Sequence, residues 1–235
     1  MKRLGILSPI FALPNEYGIG DFSYTSFQFL DFLRLIGYTC WQILPLNPID
    51  NDFSPYQPVS SYAIDDIYIS LPDLLERGLI DEIKPFTNKK NHKRINYKKV
   101  RHYKESYLAK AYATFKTTSD AQMVLDKFMI KEPWVEQYAT YVVLRKRNNY
   151  APWNTWQYKQ LSLDDKNDFN FEIFKQYLLF QQWAHIHQYA KQREIDIIGD
   201  LPFYVSLDSA DVWQHPEVFQ LDKDLVPKVV AGCPP

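Results

Sequence analysis

The stretch Ser54-Pro55-Tyr56-Gln57 sets a hydroxyl, a phenol and a carboxamide around a proline. That combination suits a neutral polyol. The flat tyrosine face covers an apolar C–H patch, while the phenol and amide exchange hydrogen bonds with hydroxyl groups. The plainer use of Tyr56 is to pack its own loop. Asn47 and Asp50 lie in the same loop, 45–61, together with Pro45, Pro48, Pro55 and Pro58. A loop stiffened in this way loses less entropy when held in a binding shape. A second polar group, Asp200, follows the apolar run Ile195-Asp196-Ile197-Ile198-Gly199. A carboxylate there can accept from sugar hydroxyls or orient an arginine. Asp208, Ser209 and Asp211 come next, and their types suit helix caps and turns as well as ligand contacts.

Other chemistries find less support. His185 and His187 are two apart on an expected helix and face different directions, so they do not form a metal pair. His215 precedes Pro216, where it suits a turn. Gly18-Ile19-Gly20-Asp21 lacks the GxGxxG spacing of a dinucleotide loop. The two cysteines, Cys40 and Cys233, form neither a CxxC nor a disulfide framework, which fits a reducing compartment.

These groups need elements to carry them. Leu4 to Ile10 reads as a short buried strand, and 26–36 as a helix with a wide apolar stripe stopped by Gly37. Thr39 to Leu44 reads as a second strand ended by Pro45. This order is a βαβ unit, which favours parallel pairing. The 45–61 loop then leaves the carboxyl end of a strand, the edge where α/β folds bind ligands. A short helix is expected over 71–78, followed by helices over 97–116, 120–129 and 134–146, the last with Val135, Tyr138, Tyr141 and Val142 on its apolar side. A long helix over 171–193 leads to a third parallel strand beginning at Ile195. Trp41 is expected to pack inside the sheet. The expected division is 1–79, first strands and loop; 80–161, a helical insertion; and 162–235, continuation through the third strand.

The chain has 235 residues, 46% hydrophobic and 23% charged, with net charge -1, so it is neither disordered nor globally basic. Residues 84–104 hold nine Lys or Arg and no acid, which reads as a solvated charged surface on the insertion. Aromatics reach 16%, enough for both a core and sugar-facing surfaces. The apolar stretch after Met1-Lys2-Arg3 is interrupted by Pro9 and lacks a small-residue cleavage site, and no run long enough to span a membrane occurs. A cytoplasmic location is expected.

Four ordered segments resemble the N-terminal half of amylomaltases, the 4-α-glucanotransferases of glycoside hydrolase family 77. They are Gly5 to Pro14 with Gly18-Ile-Gly-Asp-Phe; Trp41 to Pro48 with Ser54-Pro-Tyr-Gln-Pro and Ser60-Ser-Tyr-Ala; Gly199 to Trp213; and Val229 to Pro235. The resemblance implies an α/β fold, the N-terminal part of a TIM (β/α)8 barrel with a mostly helical insertion, incomplete within these residues. It implies transfer of an α-1,4-glucan segment to a 4-hydroxyl by a retaining double displacement, with α-1,4-glucans and maltooligosaccharides as partners. It implies no cofactor, no essential metal, no nucleic acid and no membrane partner. Substrate-binding roles fall to Tyr56, Asp200, Ser54, Asn47, Gln57 and Asp208. The family's nucleophile lies in an Arg-x-Asp-His type segment that does not occur here. The catalytic carboxylates are therefore expected beyond residue 235, with none in this chain. Two alternatives stay open: an inactive remnant with at most weak carbohydrate binding, and a nucleic-acid-binding module built on the basic run 84–104.

Overall fold

The computed structural model describes residues 3–49, 54–87 and 94–229. Three strands, β1 (Gly5–Leu7), β2 (Cys40–Gln42) and β3 (Asp196–Ile198), form one parallel sheet in the order β1-β2-β3. The register aligns Gly5 with Cys40 and Asp196, Ile6 with Trp41 and Ile197, and Leu7 with Gln42 and Ile198. The helices are α1 (Tyr24–Leu35), α2 (Leu71–Glu76), α3 (Tyr97–Phe115), α4 (Ala121–Lys131), α5 (Trp134–Arg147), α6 (Lys166–Gln192) and α7 (Ala210–Gln214). The chain divides into two compact units. The first comprises Met1–Leu44, Asp66–Leu125 and Phe174–Asp200, the second Pro45–Asp65, Asp126–Ile173 and Leu201–Pro235. The helical stretch 80–161 does not group by itself, since its residues fall in both units.

In the first unit, α1 exists because Leu30 and Leu33 repeat at helical spacing and are fully buried. Gly37 ends it at φ +80, where the Tyr38 N–H reaches the Leu33 carbonyl at 2.9 Å. Gly20 is required for a different reason: a Cβ there would collide with the carbonyl oxygen of Ile10. Trp41, in the central strand, is 0% exposed. Its indole N–H donates to the Ser8 carbonyl at 2.8 Å, and its ring meets Phe29 of α1 edge-on at 5.0 Å. The described residues cover the sheet unevenly: Cys40 and Trp41, on opposite faces of β2, are both buried, whereas the row through Leu7 and Ile198 is open. β1 is not the buried strand expected from its composition, because Leu7 is 56% exposed and Ile198, in the same register row, 44%. β1 is also shorter than expected: Pro9 leads instead into a 3-10 turn at Ile10–Ala12.

Helix α3 carries a surprise in its apolar stripe of Val100, Tyr107, Leu108, Ala111, Tyr112 and Phe115. Lys104 sits among them, 1% exposed. Its ammonium donates to Asp21 at 2.6 Å and to the carbonyls of Ile67 and Ile69 at 2.7 and 2.8 Å. All three ammonium hydrogens thus have acceptors, as burial of a lysine demands. The basic run is therefore not wholly a solvated surface. Arg101 is also engaged, pairing with Asp66 at 3.2 Å, while Lys175 of α6 reaches the other Asp66 oxygen at 2.8 Å.

Burial pushes the Asp66 carboxyl up, but Lys175 and Arg101 outweigh that and hold it at about 2. A carboxyl whose folded value lies below its unfolded one stabilises the fold fully above about pH 4. That stabilisation is lost as pH falls from there through about 2. With the Asp66 side chain 30% exposed, the contribution is about 1–2 kcal/mol after solvent screening. Urea midpoints of the wild type should fall across this window, and Asp66→Asn should flatten the fall. An equally steep decline in Asp66→Asn would remove this carboxyl as its source.

In the second unit, Val59, Ala63, Tyr138, Tyr141, Leu144, Trp156 and Ala210 form the core, with Trp134, Trp153 and Trp213 packed against it. Asn148 organises the chain after α5: its amide donates to the Leu144 and Tyr158 carbonyls at 2.8 and 2.9 Å, and its oxygen accepts from the N–H groups of Gln157 and Tyr158. Among the described residues, no helix is long and apolar enough to cross a membrane.

Candidate functional site

The proline loop of the second unit is closed at its neck by its own polar groups. The Asn47 amide donates to the Ala63 carbonyl at 3.1 Å, the Asp65 N–H to the Leu46 carbonyl at 2.8 Å, and the Ile49 N–H to the Asp65 carboxylate at 3.3 Å. The returning leg is pinned too. Val59 N–H reaches the Pro48 carbonyl at 2.8 Å, and the carbonyls of Pro58 and Val59 accept from Ser206 and Ala210 at 3.1 and 2.8 Å. Asp50 lies outside the described residues.

At the tip, residues 54–57 make a reverse turn. The Gln57 N–H points to the Ser54 carbonyl at 3.4 Å, and the Ser54 hydroxyl accepts from the Tyr56 N–H at 3.4 Å. Pro55 occupies the second turn position, where its fixed φ is already correct. Tyr56 therefore stands on a stiff turn with 39% of its surface exposed, beside an exposed Gln57. Ser54 serves the turn.

The other expected residues are placed differently. Asp200 is partly buried, two residues beyond β3, and belongs to the first unit, whereas Tyr56 belongs to the second. Asp208 is engaged at both oxygens, accepting from the Trp153 N–H at 3.0 Å and pairing with Arg145 at 3.3 Å. Ser209 caps α7, its hydroxyl accepting from the Val212 N–H at 3.2 Å, and Asp211 accepts from both the N–H and the hydroxyl of Ser61. His215 faces Glu217 at 3.2 Å. Among the described residues, no group of three His, Cys, Asp or Glu side chains is arranged to hold a metal ion. Sequence reasoning passed over Tyr62, Trp134 and Gln214, which border a cavity of about 300 Å³ in the second unit. The only signal for them was the Ser60-Ser61-Tyr62 run beside the proline loop.

The sequence profile of glycoside hydrolase family 77, the 4-alpha-glucanotransferases, matches residues 8–235. The chain belongs to this family. A 4-alpha-glucanotransferase from Clostridium butyricum is 37% identical over 243 residues, covering 96% of this chain and 49% of the relative. One from Aquifex aeolicus is 37% identical over 250 residues, covering 100% and 50%. Among solved structures, an amylomaltase from Streptococcus agalactiae in complex with acarbose superimposes with a TM-score of 0.90 at 30% identity, over 99% of this chain and 50% of that one. The chain thus spans about half the length of the curated relatives it matches. The partial parallel sheet with its surrounding helices is that of the amylomaltase fold, and glycosyl transfer of the family 77 type is the function the family carries.

Proposed function

We propose that the protein works as a 4-α-glucanotransferase on α-1,4-glucans and maltooligosaccharides in the cytoplasm, and that residues 1–235 supply sugar-holding surface rather than the reacting carboxylates. The observation that carries this reading is the proline-fixed turn of residues 54–57, which holds Tyr56 out to solvent in a chain of this family. A preset aromatic plate binds a sugar ring with little ordering cost. In the full (β/α)8 barrel the reaction is a retaining double displacement. A carboxylate displaces the leaving sugar to form a β-linked glycosyl-enzyme while a carboxylic acid protonates the departing oxygen. That acid, now a base, then takes the proton of the acceptor's 4-hydroxyl as it attacks. Both carboxylates belong to sequence outside 1–235. Asp200, beyond the end of β3, accepts hydrogen bonds from glucan hydroxyls or steadies a neighbouring cation.

Maltotriose tests this. The 235-residue chain should bind it saturably, seen as magnetisation transferred from protein to sugar by NMR, and should release no glucose from it. Tyr56→Ala should weaken that binding about fivefold, the worth of one aromatic contact, with Tyr56→Phe intermediate. Absence of saturable binding, or indifference to Tyr56→Ala, would refute the sugar-holding role. Glucose release with matching longer dextrins would refute the placement of the carboxylates.

A further inference from the structure

A second surface of the same unit has the chemistry of a sugar site. Tyr62 lies nearly parallel to Trp134, with ring centroids 6.0 Å apart and an interplanar angle of 19°, and Tyr62 is 64% exposed. The Trp134 indole N–H is tied to Glu132 at 3.0 Å, which fixes the orientation of the ring. Gln137, Asp211, Gln214 and His215 share the cavity of about 300 Å³ that these rings border. Each carboxamide offers a donor and an acceptor, the pairing that two adjacent hydroxyls satisfy. Asp211 is held in place by Ser61.

The charge of the wall narrows the class of ligand. Among the described residues, no lysine or arginine borders the cavity, and Asp211 adds a carboxylate to it, so a phosphate or carboxylate ligand is disfavoured. An apolar ligand would bury the carboxamides without partners. What fits is a neutral polyol with one apolar face. The volume lies at the small end of ligand cavities and matches one or two sugar units rather than a long chain.

We propose that Tyr62, Trp134, Gln137 and Gln214 form a glucan-binding subsite additional to the Tyr56 turn, holding one or two glucose units of a maltooligosaccharide against the two rings. This rests on the α-glucan reading above, and the test separates the two. The chain has six tryptophans. Grown on 5-fluorotryptophan, it gives ¹⁹F resonances of which Trp134→Phe identifies one as Trp134. Maltotriose should move that resonance saturably. Tyr62→Ala and, away from the aromatic core, Gln214→Ala should each raise the concentration required about fivefold, with circular dichroism reporting retained helix. Tyr56→Ala should leave the Trp134 response unchanged. Magnetisation transfer to maltotriose with a motionless Trp134 resonance would overturn this subsite and leave the proposed function standing. No transfer at all would overturn the proposed function, and the subsite with it. A Trp134 response to glycerol or tetramethylammonium equal to that for maltotriose would overturn the sugar assignment.

Discussion

Lys104→Ala should destabilise the first unit by about 3–5 kcal/mol, the usual consequence of removing one partner of a buried ion pair. The reason is what remains. Asp21 is 0% exposed and keeps its hydrogen bonds from the Asn15 amide at 2.8 Å and the Ser23 N–H at 3.0 Å. It loses the ammonium that neutralises its charge. The carbonyls of Ile67 and Ile69 lose their donor in the same step. Leaving buried acceptors unmade costs more than the bond itself contributes net. Lys104→Met separates charge from packing, because it keeps the stem and removes only the ammonium; it should be nearly as damaging as alanine. Asp21→Asn combined with Lys104→Met should lose at least about 1 kcal/mol less than the two single changes added together, since it removes both charges. Equilibrium urea unfolding gives these values. A loss below about 1 kcal/mol in Lys104→Ala would mean that water replaces the ammonium, contrary to the packing around it.

Trp41→Ala should cost a similar amount, about 3–5 kcal/mol, by a different route. Trp41 lies in the central strand with partners in β1 and β3, and no solvent reaches it. Truncation opens a cavity between the sheet and α1, abolishes the edge contact with Phe29, and frees the Ser8 carbonyl. Trp41→Phe refills most of the space without restoring the N–H and should recover more than half of the loss. If Trp41→Phe proved as damaging as alanine, the hydrogen bond to Ser8 would dominate over volume. The two substitutions also differ in their remedies: Trp41→Ala leaves an apolar void, which a small apolar solute can fill, whereas the Lys104 site leaves polar groups in want of a donor.

Helices were the most legible part of this chain, because burial on one side imposes a period that composition cannot hide. The helix expected over 97–116 is α3, Tyr97–Phe115, and the structure shows what holds it: the buried stripe Val100, Leu108, Ala111 and Phe115, and the Asn96 side chain accepting from the Lys99 N–H. The stiffness of the 45–61 loop was equally plain, since proline acts through backbone geometry that is local in sequence, whereas the turn that employs the Ser54 hydroxyl was not foreseen. What stayed hidden depends on distant partners. Lys104 looks like any other residue of a basic run until the acceptors at Asp21, Ile67 and Ile69 are brought to it, the first from 83 positions away. Asp208 reads as a ligand or a cap with equal ease, and only Arg145 and Trp153 show how its oxygens are engaged. Tyr62 and Trp134 are 72 positions apart, and nothing in either neighbourhood announces that their rings meet. The strand limits were misjudged because apolar runs continue past the residues that pair: Leu4 precedes β1, and Ile43 and Leu44 follow β2, but none of them adds a residue to the ladder.

The strand order has a consequence for synthesis. β1, α1 and β2 are made within the first 42 residues, yet the strand that pairs with the other side of β2 arrives only at Asp196. At about 5–20 residues per second, some 8–30 s pass before β3 is made. During that interval the Cys40–Gln42 edge presents unpaired N–H and carbonyl groups, a template for any extended segment nearby. The nascent chain is therefore most exposed to mispairing while 42–196 is being made, and anything that covers the Cys40–Gln42 edge in that interval would protect the very strand that later lies between β1 and β3.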